Sequence, residues 1–384
     1  MSRTFFMPPV TITGSGSLTE EADRLVLGSK ALIVTGKTVV KQDCTKKLLA
    51  VLDEKDVAYS IFTGITGEPT DTMIEEGAKA YREGGCDFII AIGGGSPMDS
   101  MKAIAVMLKY PDKKLREFMG KEIEGPFVPM AAIPTTAGTG SEVTMFTVIT
   151  DTQTEVKMLL KGAKLIPDVA VVDPLFSLSA PRSVTANTGL DALTHAIEAY
   201  TSRKAQPLTD VLAVSAVKRI MKYLPIAYEA GDDVEAREQM ALAAYEAGIC
   251  ITNSSVTLVH GMSRPIGALF HVPHGLSNAM LLPDCLEFAA DGIYPKFAGL
   301  GRAVGAADDK MSDEAAAKAF IKKVRELCEF CNVPDICEYG IDKNEFITRI
   351  DKMADDAIIS GSLSNTVKEV KKEDCINIYR KLLK

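Results

Sequence analysis

Phe88-Ile89-Ile90-Ala91-Ile92-Gly93-Gly94-Gly95-Ser96-Pro97-Met98-Asp99 is the stretch that decides the fold class. Five consecutive apolar residues lack the alternation of a half-solvated strand. They read as a strand buried on both faces, the habit of parallel sheets. Three glycines and a serine end the run, and a helical period follows, with Asp99 expected in the first turn of that helix. Strand, glycine turn and helix in succession form the first half of a βαβ unit. Glycines let backbone approach a ligand, and the free N–H groups of a helix start suit an anion. The chain has neither Gly-x-Gly-x-x-Gly nor a Walker sequence, so this turn read alone serves equally as a tight structural turn.

The flanking sequence repeats the pattern. Ala31-Leu32-Ile33-Val34-Thr35 reads as a strand, followed by Gly36 and a helix through Lys46-Lys47-Leu48-Leu49. Ala58-Tyr59-Ser60-Ile61-Phe62 and a helix around residues 72–78 come next. Met130-Ala131-Ala132-Ile133-Pro134 is a further strand, running into Thr135-Thr136-Ala137-Gly138-Thr139-Gly140-Ser141-Glu142. Four hydroxyls and two glycines suit the polar groups of a nucleotide better than they suit a plain turn. Both loops leave the carboxyl ends of expected parallel strands, where open α/β sheets take their ligands. Gly94, Gly95, Ser96 and Asp99, with Thr135, Thr136, Thr139 and Ser141, are therefore candidate contacts to a dinucleotide. After about residue 180 long 3.6-residue periods take over, as in residues 210–221 and 237–248. The expected architecture is an α/β, Rossmann-like parallel-sheet domain over residues 1–180 and an all-α domain over 181–384.

Two domains also fit the length of 384 residues, because single cores stop growing near ~250–300. A net charge of −8 and the lack of any basic run interleaved with aromatics argue against nucleic acid or an anionic membrane as partner. No stretch reaches the ~18 unbroken apolar residues of a membrane span, and the N-terminus lacks the apolar segment of a signal peptide. A cytoplasmic protein is expected. Eight cysteines are too sparse for a disulfide scaffold. Cys328 and Cys331 lie in a helical-looking run without a second Cys-x2-Cys pair, so they read as reduced, half-buried helix residues.

The chain has four histidines, and all fall between positions 195 and 274. In Asp191-Ala192-Leu193-Thr194-His195 a carboxylate and an imidazole stand four apart, on one face of a helix. The others lie in His260-Gly261-Met262-Ser263-Arg264 and His271-Val272-Pro273-His274-Gly275. One carboxylate with three imidazoles makes an N3O set suited to Fe(II), Zn(II), Co(II) or Ni(II). Unrelated histidines filling core and capping helices are the alternative.

Four of these segments together resemble the iron-containing (group III) alcohol dehydrogenases, over essentially the whole chain. They are Gly93-Gly94-Gly95-Ser96-Pro97-Met98-Asp99, the loop from Pro134 to Glu142, Gly189-Leu190-Asp191-Ala192-Leu193-Thr194-His195-Ala196-Ile197-Glu198, and His271-Val272-Pro273-His274-Gly275. The resemblance implies a dehydroquinate-synthase-like architecture and NAD or NADP as cofactor. It implies a divalent metal, Fe(II) with Zn(II) as the alternative, and a homodimer or a multiple of dimers acting on a small alcohol or aldehyde. Asp191, His195, His260 and His274 match the family's metal ligands. The two loops match its pyrophosphate and nicotinamide contacts, and Lys157 matches a cofactor-contacting lysine.

Two positions depart from the family pattern. Many NAD-preferring relatives carry Asp where this chain has Gly36, and losing that carboxylate removes repulsion against a 2′-phosphate. Many carry histidine four after the ligand at 260, where this chain has Arg264. A guanidinium stays charged and cannot act as general base, yet it binds carboxylate or sulfonate through a fork of donors. Arg264 thus implies either an aldehyde with an anionic tail or an ion pair inside the protein, with Glu198 or Asp191. His271 is left as the imidazole for a proton relay. The mechanism expected is hydride exchange between substrate and nicotinamide, with the metal as Lewis acid at the substrate oxygen. A glycerol or diol dehydrogenase of the same fold, or an inactive nucleotide- and metal-binding protein, are the rival readings.

Overall fold

The computed structural model describes residues 2–383, which divide into two compact units. One is Phe5–Ala180; the other begins at Pro181 and also takes in the residues ahead of Phe5. In chain order the first unit contains β1 (Val10–Thr13), α1 (Ser17–Glu20), β2 (Lys30–Val34), α2 (Asp43–Glu54), β3 (Ala58–Phe62) and α3 (Asp71–Gly84). There follow β4 (Phe88–Gly93), α4 (Gly95–Lys109), β5 (Met130–Pro134), β6 (Phe146–Thr150), β7 (Lys157–Lys161) and β8 (Val169–Val172).

Six strands form one parallel sheet in the order β1-β8-β5-β4-β2-β3, while β6 and β7 pair antiparallel by themselves. Every residue of β4 is buried, because the sheet is covered on both faces. Phe88, Ile90 and Ile92 pack with Leu48, Val51 and Leu52 of α2. Ile89 and Ala91 face the other way, toward Met101 and Ile104 of α4 and Ile74 of α3. Two cores served by one strand account for the unbroken apolar run, each fully buried Ile contributing roughly 1.5–3 kcal/mol. From β2 the chain steps outward to β3, then returns to place β4 on the other side of β2. That reversal is a topological switch point, and it sets the carboxyl ends of β2 and β4 side by side, where ligands of open sheets bind.

Strands β1, β6, β7 and β8 are absent from the sequence reading, for different reasons. The edge strand β1 and the inner β8 each have only four residues. β6 and β7 alternate, one side buried and the other exposed, within a stretch rich in threonine and lysine. Helix α4 starts at Gly95, so Asp99 sits in its second turn rather than its first. The cause is that Gly94, and not a later residue, takes the extended N-cap conformation.

The second unit is helical. It comprises α5 (Arg182–Thr201), α6 (Pro207–Glu229), α7 (Val234–Asn253), α8 (Leu258–Phe270) and α9 (His274–Ala289), then α10 (Tyr294–Ala303), α11 (Asp313–Phe330), α12 (Lys343–Ile359) and α13 (Lys372–Lys381). Helix α5 is its axis, packed by α6, α7 and α9. Leu190, Ala192, Leu193 and Thr194, which point in different directions around α5, have no exposed surface, as expected for a helix surrounded by others. Cys328 lies buried in α11 and Cys331 buried just past its end, and all eight cysteines are free. Among the described residues no helix is long and apolar enough to cross a membrane.

Candidate nucleotide loops and metal centre

The glycine turn and the second loop are built against each other. β4 and β5 pair through Gly93 and Pro134, and the Thr135 amide donates to the Gly93 carbonyl at 2.8 Å. A side chain on Gly95 would stand 3.0 Å from Thr139 Cγ2, and Gly94 lies under Thr136. The missing Cβ at Gly95 is thus what lets the two loops close, and Gly94 at the N-cap offers no side chain to the first N–H groups of α4. An uncapped helix start of 15 residues is suited to a phosphate.

Several of the candidate contacts have internal partners. Asp99 accepts from Ser141 Oγ at 2.5 Å and from the Val148 amide at 2.8 Å, tying α4 to the second loop and β6. Thr139 Oγ1 accepts from the Ser141 amide. Beneath them Lys102, with no exposed surface, donates to the Thr144 and Phe146 carbonyls, Thr144 Oγ1 and Ser141 Oγ. Burial pulls the Lys102 ammonium down to about 8 and pushes the buried Glu142 carboxyl up to about 7, Asp99 and Glu142 opposing the fall at Lys102. Ser96 and Thr136 are half-buried at the loop surface. Lys157 opens β7 and pairs with Glu68 at 2.7 Å. Gly36 follows β2, where a Cβ would meet the Ile65 carbonyl at 3.3 Å, and the neighbouring Lys37 is exposed. Lys102 went unnoticed in the sequence; its signal was a lysine three residues after Asp99 in an otherwise apolar helix.

In the helical unit, Asp191 and His195 of α5, His260 of α8 and His274 at the start of α9 bring four ligand atoms within 4.8 Å of one another. Asp191 Oδ1 lies 3.9 Å from His195 Nε2, 3.8 Å from His260 Nε2 and 3.7 Å from His274 Nε2. Three of the four side chains are buried, while His274 keeps 43% of its side chain exposed. The arrangement depends on Gly275, whose Cβ would stand 2.3 Å from the Asn187 carbonyl of α5.

The electrostatics suit a cation. Burial alone would raise the Asp191 carboxyl, but the three imidazoles hold it below the usual carboxylate range. His260 is driven well below the usual imidazole range, first by burial and then by His195 and His274. The His195 and His260 rings stack at 4.6 Å. An ionised Asp191 beside a His260 ring held neutral is the state in which those two side chains can serve a divalent metal. Asn278, one turn after His274, donates to Asp191 Oδ1 at 2.7 Å and lies 3.2 Å from Nε2 of both His260 and His274. Its own Oδ1 and His195 Nδ1 are buried without a partner among the described residues. One carboxylate and three imidazole nitrogens, converging in a buried pocket of unspent polar atoms, fit iron or zinc.

Glu198 completes the centre from behind. It is fully buried three residues after His195 and accepts from Thr257 Oγ1 at 2.8 Å, from the Val259 amide at 2.6 Å and from His260 Nδ1 at 2.6 Å. Neither Glu198 nor Asp191 pairs with Arg264. That guanidinium is half-buried, donates to Ser362 Oγ at 3.0 Å and makes no ion pair among the described residues. Burial lowers its pKa, with Glu198 opposing. His271 is exposed and closes α8 in the left-handed conformation, φ 54°. Asn278 went unread in the sequence although it repeats the i, i+4 spacing from His274 that marks Asp191 and His195.

Known proteins resemble this chain over nearly its whole length. The family profile for iron-containing alcohol dehydrogenase matches residues 8–174, and the one for the C-terminal part of the Fe-containing alcohol dehydrogenase family matches 185–383. The probable alcohol dehydrogenase EutG of Escherichia coli (strain K12) is 41% identical, over 89% of this chain and 83% of that protein. The crystal structure of a 1,3-propanediol oxidoreductase superposes with a TM-score of 0.96 at 33% identity, covering 100% of each chain. That of a sulfoacetaldehyde reductase from Bifidobacterium kashiwanohense in complex with NAD+ gives 0.87 at 28%, covering 100% of this chain and 99% of that one.

Proposed function

Because the chain belongs to the iron-containing alcohol dehydrogenase family, we propose that this iron-dependent, NAD(P)-linked alcohol oxidoreductase interconverts a short-chain alcohol and aldehyde bearing a carboxylate or sulfonate tail. The observation that carries the anionic tail is Arg264. A guanidinium held half-buried, one turn from His260, without a carboxylate partner is costly unless an anion meets it. The likeness to a sulfoacetaldehyde reductase supports the same reading.

Asp191, His195, His260 and His274 are proposed to hold the metal, and Gly94, Gly95 and Ser96 with Thr135, Thr136 and Thr139 to hold the cofactor. When bound, the metal supplies Lewis acidity at the substrate oxygen and the nicotinamide exchanges hydride with the substrate carbon. The chain's own contribution is positional and electrostatic. Asp191 offsets cationic charge in a buried place, and the α4 amides receive the pyrophosphate. Arg264 sets the substrate tail, and the exposed imidazole of His271 passes protons to solvent. Asp99 and Ser141 act from beneath the loop, through the bonds between them. Gly36 leaves room for a 2′-phosphate, so NADP is accepted beside NAD.

The test uses anaerobically purified protein loaded with Fe(II), with NADH and NADPH in turn. Aldehydes are paired by length, one neutral and one ending in carboxylate or sulfonate. The anionic member should lead by ~10-fold or more in kcat/KM, roughly 1.4 kcal/mol. Arg264→Gln should cancel that lead while sparing the neutral aldehyde. Equal use of both by the unmodified enzyme would return Arg264 to a structural role beside Ser362.

A further inference from the structure

The carboxylate behind the metal centre has a role that the ligand set alone does not express. Glu198 lies on α5 at i+3 from His195 and i+7 from Asp191, so one buried helix face carries all three. A carboxylate can only accept hydrogen bonds, and both oxygens of Glu198 are in use. Oε1 takes the Thr257 hydroxyl and the Val259 amide, and Oε2 takes His260. With Glu198 ionised, His260 Nδ1 is the protonated ring nitrogen, since an acceptor cannot face an acceptor at 2.6 Å, and the Asn278 amide nitrogen 3.2 Å from Nε2 faces the ring's lone pair. With the proton fixed on Nδ1, the lone pair of the neutral ring is on Nε2, the atom 3.8 Å from Asp191 Oδ1.

His195 has no such partner, because its Nδ1 is buried and unpaired among the described residues. The Val259 amide, at the second position of α8, is also one of the donors that a helix start leaves open. Glu198 therefore caps the helix that carries His260 while fixing the ring itself.

We propose that Glu198 is a positioning residue that locks His260 into the tautomer and orientation required for metal binding. The proposal rests on the assignment of His260 as a ligand. Carboxylates that back a ligating histidine typically change metal affinity 10- to 100-fold when removed. Glu198→Gln is the sharpest probe. Its amide oxygen is drawn to the Val259 and Thr257 donors, which turns its NH2 toward His260 Nδ1. That NH2 requires an acceptor there, so the ring proton moves to Nε2 and the lone pair leaves the metal side.

The experiment measures zinc affinity by competition with a chromophoric chelator for the full chain, Glu198→Gln and His260→Ala. In parallel, two-bond 1H–15N spectra of the metal-free protein report which ring nitrogen of His260 is protonated. Glu198→Gln is expected to weaken zinc binding 10- to 100-fold, and the His260 proton to move from Nδ1 to Nε2. A variant less stable to heat but unchanged in zinc affinity would reduce Glu198 to a helix cap and overturn the proposal. Zinc bound as tightly by His260→Ala as by the unmodified chain would instead remove the ligand assignment, and the proposal with it. Should Glu198→Gln fail to fold, the spectrum of the unmodified protein decides, because a proton on Nε2 there is incompatible with the lock.

Discussion

Replacing Glu142 by Gln should make stability less dependent on pH, and the size of the effect follows from burial. Glu142 is 2% exposed, next to the buried Lys102, and its carboxyl is pushed from 4.5 up to about 7. A raised carboxyl pKa means the folded protein binds the proton more tightly than the unfolded chain. The resulting stability is fully present below 4.5 and is lost as pH rises through about 7. At 1.36 kcal/mol per unit the whole loss is about 3 kcal/mol, of which about 2 falls between pH ~5.5 and ~7.5. Gln has the same shape and does not titrate, so it does not share the loss. Urea unfolding of both proteins at matched pH, followed by circular dichroism, gives the difference, which also carries the further fall of the Lys102 pKa once the Glu142 charge that opposes it is removed. The Gln variant should gain about 2 kcal/mol relative to the unmodified protein across that window. A difference that stays flat with pH would refute the reasoning, because a buried carboxyl near Lys102 cannot then be titrating there.

Gly95→Ala places a methyl 3.0 Å from Thr139 and should weaken NADH binding ~10-fold, about 1.4 kcal/mol, at nearly unchanged melting temperature. Fluorescence titration of NADH checks it, and an unaltered Kd would mean that loop contact does not shape the cofactor site. Gly275→Ala drives a methyl into the Asn187 carbonyl and should pull His274 away from Asp191, leaving protein that retains little iron after dialysis. Full iron content in that variant would show that α9 can shift without cost to the centre. Chelation should abolish turnover, and anaerobic Fe(II) should restore it. The melting temperature should fall in parallel, since occupancy at ~100 Kd stabilises by about 2.7 kcal/mol. Turnover that survives complete metal removal would contradict the assigned chemistry.

The sheet was legible wherever burial on both faces produced an unbroken apolar run, as in β4 and β5. It was not legible where a strand was four residues long or where only one side was buried, as in β1 and the β6–β7 pair. The four ligand candidates could be read because histidine is rare in this chain and Asp191–His195 shows helical spacing. What lies behind them could not. Glu198 and His260 are 62 residues apart, and only the packing of α5 against α8 makes them a pair. Arg264 shows the same limit from the other side. Its charge invited an ion pair with Glu198 or Asp191, yet Glu198 is already filled by three donors and Arg264 turns to Ser362. Asp99, from its place near a helix start, and Ser141, from its place in a loop, read as ligands, but the fold joins them to each other.

Two of the four ligand candidates and the carboxylate that backs a third ride on α5, the helix around which the second unit is packed. The metal centre and the core are therefore one object. A substitution on the faces of α6 or α7 that meet α5, far from any ligand, will register as altered iron affinity. A metal bound there would in turn stabilise the helices that carry its ligands. A chain without the metal would then open more often than one that holds it, and be cleaved sooner by a protease.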